Sequence, residues 1–236
     1  MSVFGLWVYL STAPLFWLTV TLLAWLWADA LAKRSGRHPT VNAVLIAGTI
    51  VGAMVLLSGT SYRTYFDGAQ FIHFLLGPAT VALGIPLYRN RTLVLRNLVP
   101  MMAALLAGAV VSIASAVGIA AALGAPRDVL ASLAPKSVTT PVAMAVSERL
   151  GGQPSLTAAL VILTGIVGAV MVTPLMNAMG MKDYAARGFA AGLAAHGIGT
   201  ARAFTVDTVA GTFAGIALGL NALVTAILAP ILLGLF

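Results

Sequence analysis

Apolar residues run along this chain in stretches too long and too uniformly hydrophobic to be the buried faces of a soluble fold, and polar residues gather in the short gaps between them. The stretches 6–31, 41–57, 71–87, 97–123, 155–176 and 212–235 each come near or pass the roughly 20 residues a helix needs to cross a bilayer. None alternates with period two, so helices rather than strands are expected. The pattern predicts an all-α integral membrane protein with about six spanning helices. Two further segments, 129–148 and 189–208, read as broken or re-entrant helices, or alternatively as two more crossings, eight in all. One membrane domain, 1–236, accounts for the chain, with 1–96 as a scaffold and 97–236 as repeat units.

Those two segments carry the same polar interruption. One reads Leu-Ala-Pro-Lys-Ser-Val-Thr-Thr-Pro (133–141) and the other Leu-Ala-Ala-His-Gly-Ile-Gly-Thr-Ala-Arg (193–202), each between membrane-length apolar stretches. An offset of 60 aligns them without gaps: Ala131, Leu133, Ala134, Thr140, Ala143 and Val146 match Ala191, Leu193, Ala194, Thr200, Ala203 and Val206. Upstream, Gly108-Ala-Val110 matches Gly168-Ala-Val170 and Arg127 matches Arg187. Helix breakers and polar groups are costly at membrane depth, so a doubled interruption marks where a small polar solute binds.

Charge refines the topology. Lys33, Arg34 and Arg37 close the first stretch, and Arg89, Arg91 and Arg96 follow the third. The positive-inside bias puts both clusters in the cytoplasm and the amino terminus outside. The first stretch lacks a basic start and is too long for a cleaved signal, so it reads as a spanning helix. Its Trp7, Tyr9, Trp17, Trp25 and Trp27 suit headgroup depth. Residues 59–68 read as an outer loop, where Tyr62, Tyr65 and Gln70 line an outer mouth or anchor the interface. If both interrupted segments are re-entrant, Lys182 and Arg187 join the cytoplasmic clusters, whereas two full crossings would move them outside. Charge therefore favours an inverted repeat whose two half-helix tips meet near the midplane from opposite faces.

Composition closes off other classes. With 60% hydrophobic and 8% charged residues there is no soluble surface, and the net charge of +7 sits in topology clusters rather than a nucleic-acid face. The chain has no cysteine, and His38, His73 and His196 lack ligand spacing, so no metal site is expected. Lys136 beside Ser137 without a Gly-x-Ser-x-Gly elbow does not make a hydrolase, and no enzymatic activity is expected.

The candidate chemistry is anion binding. Pro141 and Pro135 bracket Lys136, Ser137, Thr139 and Thr140. Pro141 biases Thr140 away from helix, and a resumed helix start attracts a carboxylate. The alternative is that Thr140 only caps a helix while Lys136 snorkels. In the second segment Gly192, Gly197 and Gly199 allow unwinding or close approach, and His196, Thr200 and Arg202 add donors. Arg202 suits a bidentate carboxylate, and His196 could exchange a proton or simply satisfy a backbone carbonyl.

On Pro135-Lys-Ser-Val-Thr-Thr-Pro-Val-Ala143, Gly151-Gly-x-Pro-Ser155-Leu-Thr, Leu163-Thr-Gly-Ile-Val-Gly-Ala169 and His196-Gly-Ile-Gly-Thr-Ala-Arg202, the chain resembles the LrgB/CidB family, which includes the plastid glycolate/glycerate translocator. The resemblance runs from about residue 10 to the carboxyl end. It implies a multi-pass protein of the bacterial inner membrane and two functional traditions. One is transport of small monocarboxylates such as glycolate, glycerate, lactate or pyruvate. The other is antiholin-like control of murein hydrolase export and lysis beside a small LrgA/CidA-type membrane partner. No cofactor is implied beyond a coupling proton or sodium ion, and a homo-oligomer is expected. Similar proteins often read Glu-Gly-Ala where this chain has Ala210-Gly211-Thr212, and Ser-His where it has Ala195-His196, which leaves His196 or Asp207 to carry a coupling proton.

Overall fold

The computed structural model describes residues 13–38, 41–75, 78, 84–89 and 91–236, and among these every regular element is helical. The chain divides into two compact units, 1–82 and 83–236. In the first unit, α1 (Pro14–Arg34) packs with α2 (Ala43–Leu57) and α3 (Tyr62–Phe74). Ala24 and Ala28 of α1 meet Ala47 and Val51 of α2 across a seam of small residues, which lets the two backbones approach closely. Asn42 starts α2 by accepting from the amides of Val44 and Leu45. Asp29 pairs with Lys33 at 2.6 Å and Arg37 at 3.6 Å at the end of α1.

Residues 62–68, expected as a loop, are helical. Glycine, tyrosine and aspartate there suggest a turn, but Gly68 and Ala69 are buried and the Tyr65 ring stands edge-on to Trp17, 5.9 Å between centroids. Trp17 is correspondingly buried, not interfacial. Trp7 and Tyr9, as well as Gly77 in the expected break of the third span, lie outside the described residues.

The second unit holds α4 (Gly84–Arg89), α5 (Arg91–Arg96), α6 (Leu98–Ala122), α7 (Arg127–Leu133), α8 (Thr140–Arg149), α9 (Pro154–Ala178), α10 (Tyr184–Val206) and α11 (Thr208–Leu233). Among the described residues, α1, α6, α9 and α11 are long and apolar enough to cross a membrane. At 25 residues α9 is about 37 Å long, more than a hydrocarbon core. The last two long helices begin earlier than the apolar pattern suggests. Pro154 occupies the first turn of α9, and Asp207 caps α11 by accepting from the amides of Val209 and Ala210.

Both interrupted segments fold back on themselves. At the open end of the α7–α8 pair, the Gln153 side-chain amide donates to Asp128 at 2.7 Å, and the Gln153 backbone amide donates to Ser132 Oγ at 2.7 Å. Gly152 is needed at this corner, since a Cβ there would press on Ser147 Oγ and on the Ser132 amide. The start of α7 and the end of α8 therefore lie side by side. In α10 the helix breaks at Ala195 and His196, where His196 takes φ 42° and ψ −135°. The arms 184–194 and 197–206 then run antiparallel: Gly199 lies on the Ala191 carbonyl, Ala203 packs with Ala191, and Tyr184, Arg187, Arg202 and Val206 line one small cavity.

The two hairpins point at each other from opposite ends of the long helices. Met101 and Leu105, early in α6, cluster with Phe189, Leu193 and the early α11 residues Phe213, Ile216 and Ala217. Ile113 and Val117, late in α6, cluster with Leu130, Ala131, Ala134 and the late α11 residues Ala229 and Leu233. Thus α6 and α11 run parallel, α7–α8 enters from their carboxyl ends, and α10 enters from their amino ends. A helix followed by a re-entrant hairpin occurs twice, with opposite sense.

Candidate functional site

The first tip, residues 134–139, rests against the middle of α6. Ser112 Oγ lies 2.6 Å from Ser137 Oγ, and Lys136 Nζ donates to both hydroxyls at 3.3 Å. Ser137 is buried and Lys136 half-buried. Among the described residues no carboxylate pairs with the Lys136 ammonium. An ammonium at this depth held only by two hydroxyls is costly unless an anion joins it.

Beside it α8 begins. Thr139 is the capping residue, in extended conformation, yet its side chain makes no cap hydrogen bond, and Pro141 occupies the first turn. Among the described residues no hydrogen bond engages the Thr139 or Thr140 hydroxyl. Both hydroxyls and the leading amides of α8 are thus available at the positive end of a helix dipole. Pro141 itself is exposed.

The second tip rests against the middle of α9. His196 is buried, and its Nε2 lies 2.8 Å from the Val161 carbonyl, which can only accept, so Nε2 carries the proton. Gly165 makes room for the imidazole, since a Cβ there would stand 2.6 Å from its Cε1. Thr200 donates its hydroxyl to the His196 carbonyl at 2.8 Å. Gly197 has open space where a Cβ would be, so the start of the second arm is accessible, whereas Gly199 is small to admit the partner arm.

Asn221, midway along α11, meets both tips. Its Nδ2 donates to the Ser137 carbonyl at 3.4 Å and to the Leu193 carbonyl at 3.0 Å, while Thr225 donates to its Oδ1 at 3.2 Å. The site that forms brings Lys136, Ser137, Thr139 and Thr140 of one hairpin to the level of His196 and Gly197 of the other.

Two residues expected at the site lie elsewhere. Arg202 lines the small cavity with Tyr184 and Arg187, six residues beyond the break, and donates to Thr205 at 3.3 Å. That is about 9 Å along the arm from His196. Asp207 stands at the open end of the hairpin, where its carboxylate caps α11. Conversely, Ser112 and Asn221 went unnoticed in the sequence. Their signal is polarity alone: a serine inside an Ala/Val-rich helix and an amide inside the last apolar stretch.

A cavity of about 500 Å³ runs along the amino half of α6, past Pro100, Ala104 and Gly108. Asn97 and Asp183 stand at its outer end, and Leu193 and Ala194 at its inner end. Leu193 closes it by lying against Gly108, one helical turn before Ser112.

Four long apolar helices and two opposed re-entrant hairpins define a helical membrane protein with a cationic, hydroxyl-bearing site between broken helices. The chain belongs to the LrgB-like family, whose pattern matches residues 21–235. It is similar to the holin-like protein CidB of Staphylococcus epidermidis, 30% identical over 228 residues that cover 97% of this chain and 98% of the relative. It is likewise similar to the holin-like protein CidB of Staphylococcus aureus strain Mu50, at 31% over 94% of this chain and 96% of that one. The uncharacterized protein YwbG of Bacillus subtilis is 36% identical over 92% of this chain and 96% of its own length. No solved structure matches the chain.

Proposed function

We propose that this protein is a secondary transporter of small monocarboxylates of the glycolate, glycerate, lactate or pyruvate type, bound between the two hairpin tips. The observation that carries the reading is Lys136, a cation at the tip of the first hairpin that, among the described residues, has Ser112 and Ser137 as its hydrogen-bond partners and no carboxylate. The open starts of α8 and of the second α10 arm add two positive helix ends at the same level. Thr139 and Thr140 supply donors for a carboxylate or a 2-hydroxyl. His196 holds its Nε2 proton on Val161, so any proton it exchanges passes through Nδ1. The coupling ion is a proton or sodium. The end of the bundle carrying Arg96, Lys182 and Arg187 is assigned to the cytoplasm of a bacterial inner membrane, by the positive-inside bias.

Uptake into proteoliposomes, with a panel of short carboxylates and with or without a proton gradient, tests this. Saturable uptake lost in Lys136→Met is expected. Equal leak of unrelated solutes would overturn it.

A second reading rests on the relatives' own names, which support it more directly than they support transport: a holin-like regulator of lysis, acting with a small membrane protein of the LrgA/CidA type. Its test is a lysis phenotype in cells. A phenotype that survives Lys136→Met would favour regulation and separate it from solute movement.

A further inference from the structure

Asn221 is the one side chain that hydrogen-bonds to both hairpins among the described residues. It is fully buried, it lies at the midpoint of α11, and Thr225 fixes its orientation by donating to Oδ1, which turns Nδ2 toward the two tip carbonyls. Neither carbonyl is among the solute-binding atoms proposed above. Ser137 lies in the turn before α8, and Leu193 is among the last carbonyls of the first α10 arm, whose helical acceptor–donor pairing is interrupted by the break at 195–196. A donor shared between two interrupted backbones satisfies carbonyls that would otherwise be orphaned at membrane depth.

The rest of hairpin α10 is fastened to the same helix. A Cβ on Gly188 or Gly192 would collide with the carbonyl oxygens of Ala210 and Ala214, so the first arm lies backbone to backbone on α11 with no side chain between. Hairpin α7–α8 is tied in turn to α9, through Ser132, Gln153, Ser147 and Thr157. We infer that Asn221 is a positioning residue that clamps the two tips together, so that the solute site moves as one body with α11 and is not opened by the tips parting. This rests on the transport reading for its consequence, but the clamp itself is a property of the fold.

The chain has no cysteine, so a single introduced thiol reports without background. Gly197→Cys places one at the second tip, where a Cβ meets nothing within 4 Å. The rate at which a small water-soluble thiol reagent labels this reporter in purified protein is compared with Asn221, Asn221→Asp and Asn221→Leu in place. Asp keeps the shape but, held neutral by burial, has one O–H donor in place of two N–H donors, and Leu keeps the approximate volume without polarity. Losing two buried hydrogen bonds in Leu is expected to raise the labelling rate roughly tenfold, and losing one in Asp to raise it about threefold. Asn221→Gln, which retains the donating amide, should fall between. Equal rates in all four proteins would overturn the clamp.

Transport by the same Asn221 variants without the reporter gives the second arm. Both Asp and Leu should lower maximal uptake while leaving a folded, monodisperse protein. Faster labelling with undiminished uptake would overturn the one-body part of the inference. If the unaltered protein takes up no carboxylate at all, the transport reading fails while the labelling comparison still decides the clamp.

Discussion

Replacing Lys136 by Met is expected to weaken carboxylate binding and to stabilise the empty protein at the same time. The two side chains are similar in length, so the change removes a charge with little change of packing. A carboxylate about 4 Å from an ammonium at an effective dielectric near 20 gains roughly 4 kcal/mol before desolvation. A charge-assisted hydrogen bond retains about 1.5–3 kcal/mol net, which is roughly ten- to over a hundredfold in affinity. Without ligand, the ammonium has among the described residues Ser112 and Ser137 as partners, each at 3.3 Å, and no ion pair. Lys136 is half-buried, so water offsets part of its desolvation, and about 1 kcal/mol of stability is the gain expected on removing it. For a chain of this size that raises Tm by about 2–4 °C. Thermal unfolding in detergent, with and without millimolar glycolate, reads both effects. The unaltered protein should be stabilised by ligand, and Lys136→Met should start higher and not respond. A variant that melts lower and still responds to ligand would refute the reasoning and make Lys136 a structural residue.

Gly192→Ala should lower the monodisperse yield in size-exclusion chromatography and cost about 1–3 kcal/mol, because its Cβ meets the Ala214 carbonyl, whereas Gly197→Ala should fold normally. Thr157→Val removes the donor to Ser147 at 2.7 Å and leaves that buried hydroxyl short of a partner, for a loss of about 1–3 kcal/mol in thermal unfolding. Asp207→Ala should cost about 1 kcal/mol through loss of the α11 cap, and Asp207→Asn, which caps equally well, should keep both stability and proton-gradient-driven uptake. Loss of gradient dependence in Asp207→Asn alone would make that carboxylate a coupling group.

The second hairpin shows what was legible and what was not. Gly197, Gly199 and His196 mark a break in the sequence, and the break falls just ahead of the glycines, at Ala195 and His196, with the positive φ on the histidine and both glycines helical. Arg202 reads as part of the same motif, yet the returning arm carries it to the side of Arg187 and away from Lys136. Sequence proximity to a break does not report distance from the tip once the chain doubles back. The fold-back of both segments puts Arg127, Asp128, Glu148 and Arg149 at the open end of one hairpin and Lys182, Asp183 and Arg187 at the open end of the other. The helix at Tyr62–Phe74 was hidden by turn-forming residues whose partner, Trp17, lies more than forty positions away.

By itself the sequence determined the solvent, the helical class, the doubled interruption and the residue types offered to a solute. These follow from local rules: apolar length sets a membrane span, and proline, glycine or charge at that depth must have a reason to be there. Only the tertiary structure decided that both interruptions fold back, that Lys136 meets Ser112 across 24 positions, and that Asn221 reaches a carbonyl 84 positions away. Hydrogen-bond partners in an apolar bundle are chosen by which helices pack together. Three of the helices around this site have nearly the same composition, so the pattern along the chain could not say which polar groups would meet.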